Sequence, residues 1–135
     1  MPKFGTRSTD NLNEAHKDLQ TVFNEVIKHF DCTVIEGYRC EAEQNEAYRT
    51  GKSKAKFGQS KHNKTPSHAV DVCPYPINWS DLNRMRYFAG YVVGIAAMMK
   101  GKGIIDHNIR WGGDWDKDTE VKDNRFQDLP HFEIY

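Results

Sequence analysis

The middle of the chain holds the stretch that decides the fold, residues 60–76, which read SKHNKTPSHAVDVCPYP. Its first part, together with residues 51–59, is rich in glycine, serine and basic side chains and has no sustained periodicity, which predicts a loop over residues 51–68. The valines of residues 70–72 predict a short strand, which the turn residues Pro74 and Pro76 follow. A loop this long in a small domain is usually functional. We therefore expect the functional site where this loop meets the strand.

The residues before this loop predict two helices and a strand. Apolar residues recur at three- and four-residue steps from Leu12 to Phe30, which predicts one amphipathic helix with Asp10 or Asn11 as its cap. Residues 32–38 (CTVIEGY) are short and β-branched and predict a strand. Gly37 allows a turn into a second helix over residues 41–50, which Gly51 ends.

The residues after the loop predict a long helix and two more strands. Ser80 is the expected cap of a helix over residues 81–100, closed by Gly101, in which Gly90 and Gly94 permit close packing on the sheet. Residues 109–111 and 131–135 are the expected remaining strands. The prediction is one α+β domain over residues 1–135, with helices packed against a small antiparallel sheet.

Composition excludes several functions. The chain of 135 residues has 19 basic and 19 acidic side chains, so no overall charge favours nucleic acid or an anionic membrane. The N-terminus MPKFGTRSTDNL has no apolar signal segment, so we expect synthesis in the cytoplasm and no stable membrane insertion. Three cysteines without paired spacing are expected to be reduced thiols, mostly buried.

Histidine and aspartate supply a candidate metal site. A hydrolytic zinc ion needs three protein ligands and an open fourth position. His62 in the loop and Asp71 on the strand lie nine residues apart, so the loop can fold back and bring both to one ion. His131 on the last strand joins them if the strands pair. This spacing alone is weak evidence for a metal site.

Short motifs strengthen this interpretation. The chain resembles the LAS-type zinc metallopeptidases, which include D-alanyl-D-alanine carboxypeptidases and dipeptidases and the phage L-alanyl-D-glutamate endopeptidases. The matching segments are Ser60-Lys61-His62, Ser67-His68-Ala69-Val70-Asp71, Asp128-Leu129-Pro130-His131, Gly37-Tyr38-Arg39 and Gln44. Two departures stand out, since the gap between His62 and Asp71 is longer than in the usual pattern and Ser67 replaces a glycine.

The resemblance implies a hedgehog/D-Ala-D-Ala-peptidase-like fold and a role for each matching residue. It makes His62, Asp71 and His131 the ligands of one zinc ion. It makes Asp128 the general base and acid, and Arg39 the group that binds or polarises the substrate. Gln44 and Ser60 are implied as further substrate contacts.

Several alternatives stay open at this stage. Glu133 competes with Asp128 for the base, because alternation along a strand puts it on the same side as His131. Arg39 could pair with Glu36 or Glu43 only. Residues 111–115 could line the cleft or form core and turn. Asp114, Asp116 and Asp118 begin like a calcium loop, but Thr119 replaces the required glycine, which favours a solvated acidic loop.

The expected function is a monomeric zinc peptidase that cuts the L-alanyl-D-glutamate bond of peptidoglycan stem peptides. We expect it to act as a phage endolysin, on the cell wall after its release from the host cytoplasm. A D-alanyl-D-alanine carboxypeptidase of the same family and a non-catalytic zinc-containing binding domain are the alternatives.

Overall fold

The structure is a computed structural model that describes residues 2–122 and 127–135. These residues form four α-helices and four strands. In chain order they are α1 (Thr6–Asn13), α2 (Lys17–Val26), β1 (Cys32–Glu36), α3 (Glu41–Arg49), a single 3₁₀ turn (Lys61–Asn63), β2 (Ala69–Pro74), α4 (Leu82–Gly101), β3 (Ile109–Gly112) and β4 (Asp128–Ile134). The predicted α+β class is confirmed.

The strands form an antiparallel sheet in the order β1-β2-β4-β3. At its centre Asp71 of β2 lies directly opposite His131 of β4. Residues directly opposite each other in an antiparallel pair project from the same face of the sheet. The pairing register therefore brings together two side chains that are 60 residues apart in the chain.

One face of the sheet forms the core and the other carries polar groups. Val70, Val72, Phe132 and Ile134 belong to the core, where the Phe132 ring meets the rings of Phe23 from α2 at 5.4 Å and Phe88 from α4 at 6.1 Å. Because side chains alternate along a strand, the residues between them face the other way. These residues are Asp71, His131 and Glu133.

The N-terminal region differs from the prediction of one helix. It forms two helices, α1 and α2, whose N-caps are Gly5 and His16 rather than Asp10 or Asn11. The chain breaks between them because Ala15 pairs with Ser67, whose N–H donates to Glu14 O at 2.9 Å while His16 N–H donates to Ser67 O at 2.8 Å. The break anchors the functional loop to the N-terminal helices.

The long helix also differs in its details. Its N-cap is Asp81, whose carboxylate accepts from Arg84 N–H, and not Ser80. Gly90 and Gly94 are exposed, and a Cβ at either position would meet nothing within 4 Å, so the predicted packing role is wrong. Larger apolar side chains on the other side of α4, such as Phe88, make the contact with the sheet.

The remaining fold predictions concern the thiols and the membrane. All three cysteines are free, and burial raises the pKa of Cys32 and Cys73 to about 12, as expected for inert thiols. Among the described residues, none of the helices combines the length and the apolar character that crossing a bilayer requires.

Candidate metal centre and active-site cleft

Three side chains from different elements converge on the polar face of the sheet. His62 Nε2 lies 3.2 Å from Asp71 Oδ1 and 3.2 Å from His131 Nδ1, and His131 Nδ1 lies 3.4 Å from Asp71 Oδ1. Zinc bonds of about 2.0–2.1 Å arranged as a tetrahedron separate ligand atoms by about 3.4 Å. All three residues are buried. The predicted ligands thus form a triangle of the size that one such ion requires.

Each histidine is held by a second hydrogen bond on its outer nitrogen. His62 Nδ1 lies 2.8 Å from the carbonyl oxygen of Gly37, and His131 Nε2 lies 2.8 Å from Glu133 Oε1. These acceptors fix a proton on the outer nitrogen of each ring, so the inner nitrogens are the ones that can offer a lone pair. The orientation needed for metal binding is therefore built into the fold.

The electrostatics of the site favour charge separation. Burial opposes ionisation of Asp71, yet the neighbouring His62 and the hydrogen bond with His131 hold the pKa of Asp71 well below its usual range. Burial also opposes protonation of His131, but hydrogen bonds with Asp71 and Glu133 prevail and raise the pKa of His131 to about 9. Both shifts favour an ion pair between the Asp71 carboxylate and protonated His131 when no metal is bound.

Asp128 and Glu133 occupy different places relative to His131. Asp128 Oδ2 lies 3.9 Å from His131 Nδ1, on the inner side of the ring, and its side chain is 30% exposed. Burial and the charge of Asp71 raise the pKa of Asp128. Glu133 is buried and is bonded to the outer nitrogen of His131 and to Arg110 Nη2, the latter at 2.7 Å. Only Asp128 is on the side where a reacting group could approach.

Arg39 is buried beside the triangle. Its guanidinium donates to both oxygens of Glu36, at 2.9 and 2.7 Å, and its Nη2 lies 3.7 Å from Asp71 Oδ2. The pairing with Glu36 that we considered is present, whereas Glu43 instead accepts from Cys40 N–H. Arg39 therefore adds positive charge at Asp71 from behind the ligand.

Gln44 and Ser60 hydrogen-bond to Arg39 and to the turn that carries His62. Gln44 is 0% exposed, accepts from Arg39 Nη1 at 3.0 Å and donates to Ser53 and to Ala55 O. Ser60 caps the 3₁₀ turn by accepting from His62 N–H at 3.1 Å. This geometry favours roles in positioning Arg39 and His62 over the substrate contacts that the resemblance implied.

The aromatic residues predicted near the cleft separate into two kinds. Trp111 is buried and donates from Nε1 to Leu129 O at 2.7 Å, so it is part of the core. The ring of Trp115 lies 5.4 Å from that of His131, and the Arg110 guanidinium stacks on Trp115 at 5.2 Å. Sequence reasoning missed the Arg110 contact, because no local pattern links residue 110 to 115.

Two further groups of potential ligand atoms occur in the described residues. His16, Asp18 and His107 form one, and Asp114, Asp116 and Asp118 form the other. The first is a structural cap, because Asp18 Oδ2 accepts from the N–H groups of Asp106 and His107 and from His107 Nδ1. His68 lies near His16, outside the candidate centre.

An open cleft of about 460 Å³ reaches the candidate centre. Asp71 and Asp128 contribute to its wall, together with Trp79 and the cations Lys52 and Arg86. A volume of this size accommodates a short peptide segment. A polar centre at the wall of a half-apolar cleft is the arrangement expected of a hydrolase that acts on a peptide.

An α+β fold with a His-Asp-His centre and an adjacent carboxylate defines a class, the metallopeptidase-like hydrolases. A family model described as phage L-alanyl-D-glutamate peptidase matches residues 1–135, so the chain belongs to this family. The chain is also similar to the crystal structure of the L-Ala D-Glu endopeptidase ChiX of Serratia marcescens, with 27% identity and a TM-score of 0.72. That match covers 98% of this chain and 90% of the other. The chain is a peptidoglycan endopeptidase, as its motifs predicted.

Proposed function

We propose that the protein hydrolyses the L-alanyl–D-glutamate bond of peptidoglycan stem peptides, with one zinc ion held by His62, Asp71 and His131. The observation that carries the proposal is the triangle of inner ligand atoms, 3.2 to 3.4 Å apart, with Asp128 beside it on the cleft side. The family match and the similarity to the Serratia endopeptidase support the choice of bond.

Zinc bound at this centre would polarise the scissile carbonyl and make water a stronger acid. Asp128 takes the proton from the attacking water while the oxygen bonds to the carbonyl carbon, and it returns a proton to the departing amine as the C–N bond breaks. Its raised pKa makes the Asp128 carboxylate a stronger base for the first half of this exchange, and the proton it takes up is then the one it donates in the second half.

Arg39 acts through charge and position in this proposal. It is 4% exposed and is held by Glu36 and Gln44, so it does not reach far into the cleft. From beside Asp71 it stabilises negative charge that develops on the carbonyl oxygen. Its bidentate pairing with Glu36 keeps the guanidinium in place before substrate arrives.

The proposal extends to the setting of the enzyme. We infer one peptidase domain over residues 1–135 that works as a monomer. It would be a phage endolysin that is made in the host cytoplasm and cuts the wall after release. The family description as a phage L-alanyl-D-glutamate peptidase supports this setting.

Mass spectrometry of digested peptidoglycan tests the proposal. Purified sacculi are incubated with the protein, with and without a chelator, and the new termini are identified. A chelator-sensitive product with a free D-glutamate amine is the expected result. Released D-alanine would instead indicate a carboxypeptidase, and no product in the presence of added zinc would indicate a binding domain.

A further inference from the structure

Arg86 differs from Lys52, the other cation that lines the active-site cleft in the described part of the chain. It projects from α4, is half-buried and lines the same cleft as Asp71 and Asp128. Its Nε is buried without a hydrogen-bond partner, and within residues 2–122 and 127–135 it makes no hydrogen bond or ion pair. Lys52, on the same wall, already contacts Glu36 Oε2 at 3.4 Å. Arg86 is thus the uncommitted cation of this cleft.

An unpartnered guanidinium in such a place needs an explanation. Buried donors are almost always satisfied, because leaving one without a partner forfeits its hydrogen bonds to water. Arg84, two residues earlier on the same helix, donates to Tyr75 O at 2.8 Å and stacks on Phe30. Arg110 also has a buried Nε without a partner, but its Nη2 pairs with Glu133, whereas Arg86 has no bond to the described residues through any of its nitrogens. A partner that arrives with the substrate accounts for the difference.

The substrate offers such a partner. A D-glutamyl residue has two carboxyl groups, of which only one continues the peptide. The other is a free carboxylate, or an amide where the wall is amidated. Arginine binds a carboxylate in a planar, charge-assisted pair that is roughly twice as strong as a neutral hydrogen bond. Asp71 and Asp128 repel the same group, so the cleft orients it towards Arg86.

We propose that Arg86 binds the free carboxylate of the D-glutamyl residue and makes the enzyme selective for non-amidated stem peptide. This inference rests on the proposed function and adds the residue that recognises the leaving side of the substrate. It also predicts that the unpartnered donor lowers the stability of the free protein, since a binding site is held ready at that position.

The test uses two synthetic stem peptides that differ only in whether this carboxyl group is free or amidated. The value of kcat/KM is measured on both for the zinc-loaded wild type and for the variants Arg86→Gln and Arg86→Met. The wild type is expected to prefer the free acid by about 10-fold or more. Either variant should lose roughly 10- to 100-fold on the free acid and change little on the amide. Arg49→Gln is the matched control for net charge, because Arg49 is 71% exposed and pairs with Glu46.

The outcomes separate the two proposals. If the wild type cuts neither peptide, the proposed function fails and this inference fails with it. If it cuts both peptides equally well, or if Arg86→Gln lowers both rates equally, the enzyme assignment stands and the role of Arg86 is refuted. The melting temperature of Arg86→Met should equal or exceed that of the wild type; a clear fall would instead show that Arg86 supports the fold.

Discussion

Replacing Glu133 by glutamine should weaken metal binding and leave the chemical step nearly intact. Glu133 Oε1 lies 2.8 Å from His131 Nε2, and its other oxygen accepts from Arg110 at 2.7 Å. Glutamine keeps the shape of the side chain but removes the charge that orients the ring and raises its basicity. Loss of such an outer partner typically costs 10- to 100-fold in metal affinity, or about 1.4–2.7 kcal/mol.

The assay is a zinc titration against a competing chelator at fixed pH, followed by turnover at saturating zinc. Glu133→Gln should shift the dissociation constant by the stated range, with kcat within a few-fold of the wild type. Unchanged zinc affinity together with a collapse of kcat would refute this reasoning. Glu133 would then be the proton-transfer group and Asp128 would not.

Three other perturbations follow from the same geometry. Asp128→Asn should retain zinc, measured by metal analysis, while kcat falls by about 10²- to 10⁴-fold because general acid–base catalysis is lost; normal turnover would exclude Asp128 as the base. Zinc affinity should rise with pH up to about 9, because His131, whose pKa is raised to about 9, must lose the proton on its inner nitrogen to bind the ion. Calorimetry in buffers of different ionisation enthalpy should detect the release of that proton. A zinc affinity that does not change between pH 6 and pH 9 would contradict this prediction. Asp18→Asn should lower the free energy of unfolding by about 1–3 kcal/mol, since the carboxylate accepts three hydrogen bonds from Asp106 and His107. The pKa of Asp18 is lowered, because these hydrogen bonds outweigh the effect of burial. The stabilisation that Asp18 provides is therefore present above its unfolded-state pKa and is lost as the pH falls through its folded-state pKa. Denaturant titrations of the wild type and the variant at pH 7 and pH 3 check both statements.

The sequence predicted the elements that depend on local patterns. The strands and the helix predicted over residues 41–50 were placed within two residues of their observed bounds, except that β4 begins three residues earlier than predicted. The break between α1 and α2 was missed because it depends on tertiary contacts. Gly37, for example, approaches Asn11 O so closely that a Cβ there would lie 2.2 Å from it. An apolar repeat that runs through both helices carries no sign of such a contact.

The candidate site was predictable to a different extent. The three ligands came from the resemblance of short motifs, and the register of β2 and β4 explains how two of them meet. The sequence could not predict which group accepts a hydrogen bond from the outer nitrogen of His62, because the acceptor is the Gly37 carbonyl, a backbone group that any residue would supply. For Glu133 the alternation along β4 indicated the correct face, but only the ring orientation of His131 distinguishes an outer partner from a base.

The charges around the triangle give an independent reason to expect a divalent cation there. Four carboxylates lie around it, those of Glu36, Asp71, Asp128 and Glu133. Two guanidinium groups oppose them, those of the buried Arg39 and the half-buried Arg110. Among the side chains that form ion pairs here, negative charge is in excess even with the exposed Lys52 counted, whereas Arg86 lines the same cleft but pairs with none of them. Burying unbalanced charge is costly. Burial and the charge of Asp71 raise the pKa of Asp128, and hydrogen bonds with Asp71 and Glu133 raise the pKa of His131, so both groups hold protons more readily when no ion is bound. A divalent ion would replace that proton charge, so metal uptake and proton release are one event at this site.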